Sequence, residues 1–254
     1  LLHAIMPHSF VIHSHPLDII RETVIVDNYK NISKLMSGFK WTIVDYIKPG
    51  EELAREVFYK IKNKDIDVVI LSNHGLIVGG DNATEVLQKH GAIIKRFSKR
   101  SRKEKKIDSQ KIIETQSLLI KKTSMNWRMP RFELIHSLAT DDWSFKLATM
   151  NPLYPDHLVF CDKLACCINY EDLDNISEIK LVNKKYLIIK NIGVFLNSKS
   201  SLATEEMLEA QAYINLSIPK ETMVKTLSNI ECSDLQSWDA EKYRLELMKK
   251  RESS

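Results

Sequence analysis

The sequence predicts an α/β fold in which strand and helix segments alternate, and three observations support this prediction. Apolar runs typical of buried strands begin near Phe10 and Ile66. An amphipathic pattern over residues 51–62 and a capping sequence at Asn82 each predict a helix. A later stretch, around residues 187–205, repeats the order of strand, glycine turn and helix. We therefore expect helices packed on sheets, in two related halves.

The first predicted strand carries two histidines, and a third follows the next strand. Side chains two residues apart in a strand face the same side, so His13 and His15 should point together. The apolar strand 66–71 runs into a glycine turn that contains His74. Three imidazoles with one open position are typical of a catalytic rather than a structural zinc site. The alternative, core histidines bonded to backbone carbonyls, suits a single histidine better than this set. An enzyme is the leading interpretation.

Two helices follow from local patterns in the first half. One face of the segment 51–62 is apolar, which predicts a helix packed on a sheet. The residues of this face are Leu53, Ala54, Val57, Phe58 and Ile61. The sequence Asn82-Ala83-Thr84-Glu85 resembles a capping box and predicts a helix that runs to about Phe97.

The second half is expected to be a degenerate copy of the first. In the alignment, Asn191 and Gly193 match Asn73 and Gly75, residues 203–205 match 83–85, and residues 155–161 match 7–13. The positions that align with the three histidines hold Cys161, Lys163 and Ile192. Isoleucine offers no lone pair, so the second copy should bind no metal. The alternative is that both halves use a strand–turn–helix unit common among α/β proteins.

Composition indicates an ordinary globular protein with a locally basic segment. Of its 254 residues 44% are hydrophobic and 28% charged, and no apolar run approaches the length of a membrane helix. The first residues do not have the layout of a signal peptide. The cysteine spacing fits no disulfide framework, so we expect reduced thiols and a cytoplasmic protein.

The net charge of +4 comes largely from residues 95–106, which hold eight basic side chains and one acidic one. A nucleic-acid or anionic-surface patch is one interpretation. A solvated connector is preferred, because Phe97 is the only aromatic residue within the run. We expect a metal-binding domain over 1–97, a basic connector over 98–110 and a second α/β half over 111–254.

Three blocks of the first 97 residues resemble the class II aldolase/adducin family, in family order. They are residues 2–16, which include Val11-Ile12-His13-Ser14-His15-Pro16, residues 45–54 and residues 73–80. The rest, down to residue 244, is similar to the aldolase portion of bacterial rhamnulose-phosphate aldolase/short-chain dehydrogenase fusions. No GxGxxG dinucleotide-binding sequence is present.

This resemblance implies a three-layer α/β/α fold with a mixed, mostly antiparallel sheet. It implies that His13, His15 and His74 bind Zn²⁺ or another divalent metal, which would stabilise an enediolate during cleavage of a phosphorylated ketose such as rhamnulose 1-phosphate. Tyr46 would be a candidate proton donor, the alternative being half-buried packing. The family's glutamate would fall just before Leu1, so we expect an N-terminally truncated sequence that lacks it. His3 would support the site indirectly.

Other functions remain open within the same family. Epimerases and dehydratases use the same ligands and the same enediolate chemistry. A non-catalytic, adducin-like interaction module is an answer of another class, but it would not require metal histidines. The expected partners are a sugar phosphate and further copies of the chain, since family active sites often form between subunits. No nucleic-acid or membrane partner is expected.

Overall fold

The computed structural model describes residues 1–161, 163–176, 181 and 183–237. The chain forms two compact units: unit 1 contains Leu1–Arg100 and Thr222–Thr226, and unit 2 contains Ser101–Glu221 and the chain from Leu227. Residues 238–244, the end of the stretch that resembles the fusion proteins, lie outside the described residues. In the part of the chain that is described, no helix is long and apolar enough to cross a membrane.

Unit 1 is built on a four-stranded sheet. Its elements are α1 (Leu2–Ile5), β1 (Phe10–Ser14), α2 (Leu17–Val24), α3 (Tyr29–Leu35), β2 (Trp41–Val44), α4 (Glu51–Ile61), β3 (Val68–Leu71), β4 (Gly75–Gly80) and α5 (Ala83–Phe97). The strand order is β1-β4-β3-β2. The β1/β4 and β3/β4 pairs are antiparallel and the β2/β3 pair is parallel. The predicted mixed, mostly antiparallel sheet is confirmed.

Both faces of this sheet are covered by helices, because its central strands are apolar at every position of both faces. One face packs against α2, α3 and α5 through a cluster that includes Ile19, Ile32, Met36, Val68, Ile70, Leu76, Val78, Val86, Ile93 and Phe97. The other face packs against α1 and α4 through Met6, Val44, Leu53, Val57, Ile61, Val69, Leu71 and Ile77. Unit 1 therefore has three α/β/α layers.

Unit 2 has a second four-stranded sheet. Its elements are α6 (Ser109–Thr123), β5 (Trp127–Arg128), a 3₁₀ helix (Glu133–His136), α7 (Ser137–Thr140), α8 (Asp142–Ala148), α9 (Pro155–Phe160), β6 (Cys166–Ile168), a second 3₁₀ helix (Tyr170–Asn175), β7 (Tyr186–Ile189), β8 (Gly193–Asn197), α10 (Leu202–Ser217) and α11 (Asn229–Ser237). The order β5-β8-β7-β6 has the same pattern of parallel and antiparallel pairs as unit 1.

The turns between the central strands of the two sheets have the same conformation. Asn73 and Asn191 both have left-handed backbone angles, with φ of 55° and 62°. In each turn the next residue donates its N–H to the last residue of the preceding strand, with N···O distances of 3.1 and 3.0 Å. The helices α5 and α10 follow at the expected places. These observations support the alignment of residues 70–76 with the second half.

The upstream part of that alignment is wrong. Residues 155–160 form helix α9, with Pro155 at its N-terminus, whereas the residues they were aligned with lead into strand β1. Cys161 and Lys163 therefore do not correspond to His13 and His15. The counterpart of β1 in the sheet of unit 2 is β5, which pairs with β8 as β1 pairs with β4.

Candidate metal centre

Three histidine side chains of unit 1 converge at one end of its sheet. The ring centroids of His13 and His15 are 4.9 Å apart, those of His13 and His74 are 5.1 Å apart, and those of His15 and His74 are 4.7 Å apart. One nitrogen of each ring lies within 4.8 Å of one nitrogen of the others. The His74 side chain is buried and the other two are half-buried.

The spacing of these nitrogens fits a single metal ion. Two imidazole nitrogens on a tetrahedral Zn²⁺ at 2.0–2.1 Å are separated by about 3.4 Å. The Nε2 atoms of His13 and His15 are 3.2 Å apart, so this pair is already at the spacing of two ligands. Within the described residues, this is the one group of three or more histidine, cysteine or carboxylate side chains with such a spacing. The residues present therefore fit a divalent metal with imidazole ligands.

The tautomer of His13 is fixed by the neighbouring strand. Its Nδ1–H donates a hydrogen bond of 3.0 Å to the carbonyl oxygen of Leu76 in β4. The lone pair is consequently on Nε2, the atom that faces His15. A backbone carbonyl that orients a histidine in this way is a common partner of metal-binding imidazoles.

Gly75 allows β1 and β4 to approach each other at the site. A Cβ atom at this position would lie 2.3 Å from the carbonyl oxygen of Ser14 and 3.0 Å from Cδ2 of His15. Any larger residue would therefore push against the backbone between the two strand histidines. The glycine is required by this close approach, and its φ is not in the left-handed region.

The hydrogen bond between Ser14 and His90 was not expected from the sequence. Ser14 Oγ lies 2.7 Å from Nε2 of His90, which is on α5, 76 positions away. Ser14 alternates with His13 and His15 along the strand, so its side chain points to the opposite face. The bond attaches the site end of β1 to α5. Burial lowers the pKa of His90.

His3 and Tyr46, the remaining candidates from the sequence, and one further histidine, His8, lie at different positions. His3 is exposed on α1. His8 lies at the other end of β1, where its Nε2 is 3.5 Å from a carboxylate oxygen of Asp67. Tyr46 is half-buried and follows β2 at the end where His74 follows β3, because these two strands are parallel.

Helix α2, which follows the strand histidines, is anchored by buried charges. The Arg21 guanidinium is fully buried and donates hydrogen bonds to Asp18, Glu22 and the carbonyl oxygen of Phe97 at the end of α5. Burial alone would raise the pKa of Glu22, but a hydrogen bond from Lys99 and the charge of Arg21 outweigh it and lower the pKa. This network holds α2 against α5 and so supports the strand end that precedes it.

Several side chains of the basic run are engaged within the protein. Arg96 donates hydrogen bonds to the backbone carbonyls of Leu35 and Ser37. Lys99 pairs with the buried Glu22, at 2.7 Å. Arg102 pairs with Asp141, at 2.8 Å, and also contacts two backbone carbonyls of unit 2. These contacts support a structural role for the run.

The corresponding positions of unit 2 hold no nitrogen ligands. When Gly193 is matched with Gly75, Leu196 falls on Val78. Their strand partners, Arg128 and Ile12, then match each other. Counting onward, Met129 takes the position of His13 and Arg131 that of His15. Ile192 occupies the position of His74, as the sequence predicted. The backbone N–H and side-chain Nε of Arg131 are both bonded to the fully buried carboxylate of Glu205. An ion pair and apolar side chains therefore stand where unit 1 has its histidine cluster.

Comparisons with known proteins identify the part of the chain that contains the three histidines. The family model "Class II Aldolase and Adducin N-terminal domain" matches residues 1–96. A Bacillus subtilis (strain 168) protein named "Uncharacterized oxidoreductase YuxG" is 33% identical over 95 residues, which are 37% of this chain and 14% of that protein. A solved structure of the N-terminal class II aldolase domain of a conserved protein from Thermoplasma acidophilum is 35% identical, with 38% of this chain and 44% of that chain covered and a TM-score of 0.35. Residues 1–96 therefore match the N-terminal domain model of the class II aldolase and adducin family, and unit 1 has an α/β fold in agreement with this match.

Proposed function

We propose that His13, His15 and His74 bind a divalent metal, preferably Zn²⁺, and that the chain is part of a metal-dependent aldolase. The observation that carries this proposal is the convergence of three imidazoles, with two Nε2 atoms at ligand spacing and one tautomer fixed by Leu76. The family match over residues 1–96 supports an aldolase-type function in general.

The proposed reaction is cleavage of the Cα–Cβ bond of a β-hydroxy ketone. A bound divalent metal supplies Lewis-acid stabilisation for the negative charge that develops on the carbonyl side of the breaking bond. The three histidines would hold this metal. Tyr46, at the same sheet end as His74, is the proposed group that exchanges a proton with the oxygen of the aldehyde: in cleavage this oxygen gives up its hydroxyl proton as the C=O bond forms, and in the reverse addition the phenol returns a proton to it.

A phosphorylated ketose such as rhamnulose 1-phosphate is the proposed substrate. This choice rests on the resemblance to the aldolase portion of aldolase/dehydrogenase fusions. The name of the Bacillus subtilis relative, an oxidoreductase, is compatible with it, although this chain matches only 14% of that protein. We further propose a cytoplasmic homo-oligomer, with a metal-binding domain over 1–97, a connector over 98–110 and a degenerate second copy over 111–254.

Two other functions would use the same scaffold. An epimerase or dehydratase would share the metal site and differ in the product. An adducin-like interaction module would need no metal, and the clustering of three imidazoles favours the enzyme over it.

The proposal is tested with the full chain, first stripped of metal by a chelator and then reloaded with Zn²⁺, Mn²⁺ or Co²⁺. Each form is incubated with a panel of ketose 1-phosphates, and aldehyde products are measured. In parallel, calorimetry measures binding of a phosphorylated hydroxamate, which chelates metal as the charged intermediate would and needs no base. We expect hydroxamate binding to the reloaded forms only. Absence of both cleavage and metal-dependent hydroxamate binding would contradict the proposal.

A further inference from the structure

A segment from the far part of the sequence completes unit 1. Residues Thr222–Thr226, here called the returning segment, belong to unit 1 although the chain before and after them belongs to unit 2. The segment pairs with the residues that end α2. Val224 forms an antiparallel bridge with Ile25, and the Lys225 N–H donates a 2.7 Å hydrogen bond to the carbonyl oxygen of Val24. The returning segment therefore lies along α2 at its C-terminal end.

The returning segment also contacts the turn that carries His74. Nδ2 of Asn73 donates a 2.9 Å hydrogen bond to the carbonyl oxygen of Lys225. The backbone N–H of Asn73 donates a second one, of 3.0 Å, to Oγ1 of Thr23 on α2. Asn73 is almost fully buried, at 1% exposure, and its φ of 55° lies in the left-handed region, which asparagine and glycine adopt more readily than most residues. The residue next to His74 is thus held from two sides.

We infer that the returning segment positions His74 for metal binding, through the hydrogen bond between Asn73 and the Lys225 carbonyl. This inference rests on the proposed metal site, and it adds a dependence of that site on residues about 150 positions away. His74 follows β3 in a turn, whereas His13 lies within β1 and is fixed by its ladder with β4. A turn is oriented by fewer backbone contacts than a strand, so the side chain that anchors this turn controls where the third imidazole points.

The turn of unit 2 provides a matched comparison. Asn191 has the same left-handed conformation, with φ of 62°, and its N–H donates a 2.9 Å hydrogen bond to the carbonyl oxygen of Ala139. Ile192 follows it in place of a histidine. The same substitution in the two turns therefore removes an asparagine side chain from the same backbone conformation, but only one of the two turns carries a proposed ligand.

The experiment compares Asn73→Gly with Asn191→Gly in the full chain. Glycine accepts a positive φ without strain, so both variants keep the turn. Asn73→Gly loses the side-chain bond to Lys225, whereas Asn191→Gly loses an exposed side chain. Co²⁺ is titrated into metal-free protein, and its visible absorption spectrum and affinity are recorded. Removal of a group that orients a metal ligand commonly costs 10–100-fold in affinity. We expect about a tenfold loss and an altered Co²⁺ spectrum for Asn73→Gly, and wild-type values for Asn191→Gly.

A second variant tests the returning segment itself. Lys225→Pro removes the N–H that bonds to Val24 and should weaken Co²⁺ binding in the same direction as Asn73→Gly. Wild-type affinity and spectrum in Asn73→Gly and in Lys225→Pro would overturn the inference while leaving the metal site intact. Equal losses in Asn73→Gly and Asn191→Gly would also overturn it, since they would indicate general destabilisation. Failure of the wild-type chain to bind Co²⁺ would instead refute the proposed function and with it this inference.

Discussion

The substitution Gly75→Ala tests the close approach on which the histidine cluster depends. Alanine fits the backbone conformation, because the φ of Gly75 is not in the left-handed region. The added Cβ would nevertheless lie 2.3 Å from the Ser14 carbonyl oxygen. Cβ atoms in proteins essentially never come within 3.0 Å of another non-bonded heavy atom. The strand end that carries His15 would have to move away by at least ~0.7 Å, the difference between these two distances.

The size of the effect follows from this displacement. Overpacking of a well-packed core typically costs about 1–3 kcal/mol, and the contact here is with a backbone atom that cannot rotate away. Changes to the groups that orient metal ligands typically cost about 10–100-fold in metal affinity. We therefore expect the free energy of unfolding to fall by about 2 kcal/mol and the metal affinity to fall by about 100-fold.

The assay combines urea denaturation with Co²⁺ titration of the full chain. Gly91→Ala is the control, because a Cβ at this position of α5 meets no atom within 4 Å. It should raise the free energy of unfolding by about 0.5–1 kcal/mol through helix propensity and leave metal affinity unchanged. Wild-type metal affinity in Gly75→Ala would refute the argument that this glycine sets the geometry of the cluster.

Three further perturbations should each change one measurable property. Where the full chain releases aldehyde from a ketose 1-phosphate, Tyr46→Phe should lower this rate at least tenfold at unchanged Co²⁺ affinity, and an unchanged rate would remove Tyr46 from the mechanism. Ser14→Ala should lower the free energy of unfolding by about 1 kcal/mol, because the bond to His90 is lost; a thermal melt identical to wild type would contradict this. Burial lowers the pKa of both His136 and His157 from 6.5 to about 4. At pH values between 4 and 6.5 the unfolded chain therefore binds more protons than the folded chain, and the free energy of unfolding falls as the pH falls through this interval. Between pH 6.5 and 5, with a chelator present, each of the two should contribute a loss of about 1.5 kcal/mol, and a urea midpoint independent of pH would contradict it.

The convergence of the three histidines was predictable because it depends on local periodicity. Alternation along a strand places His13 and His15 on one side, and a glycine turn after an apolar run places His74 at a strand end. Two helices of unit 1 were equally predictable from the sequence. The structure has them at Glu51–Ile61 and Ala83–Phe97, close to the predicted bounds, because apolar spacing and an N-cap are local signals.

The parts that were missed depend on pairings between distant residues. The two-residue strand β5 is too short to show any periodicity, so the alignment took the apolar segment from Pro155 in its place. A proline followed by apolar residues is equally compatible with the first turn of a helix, and that is what the structure contains. The bond of Ser14 to His90 and that of Asn73 to Lys225 join residues 76 and 152 positions apart, and no local pattern signals either one.

Elemental analysis of the full chain after exposure to zinc determines whether His13, His15 and His74 bind a metal. The wild-type chain is compared with the double variant His13→Ala/His74→Ala, and with His8→Ala, whose imidazole lies at the other end of β1. We expect about one equivalent of zinc in the wild type and in His8→Ala, and none in the double variant. A folded wild-type chain that binds no zinc, or a double variant that retains it, would show that these three histidines are not the zinc site.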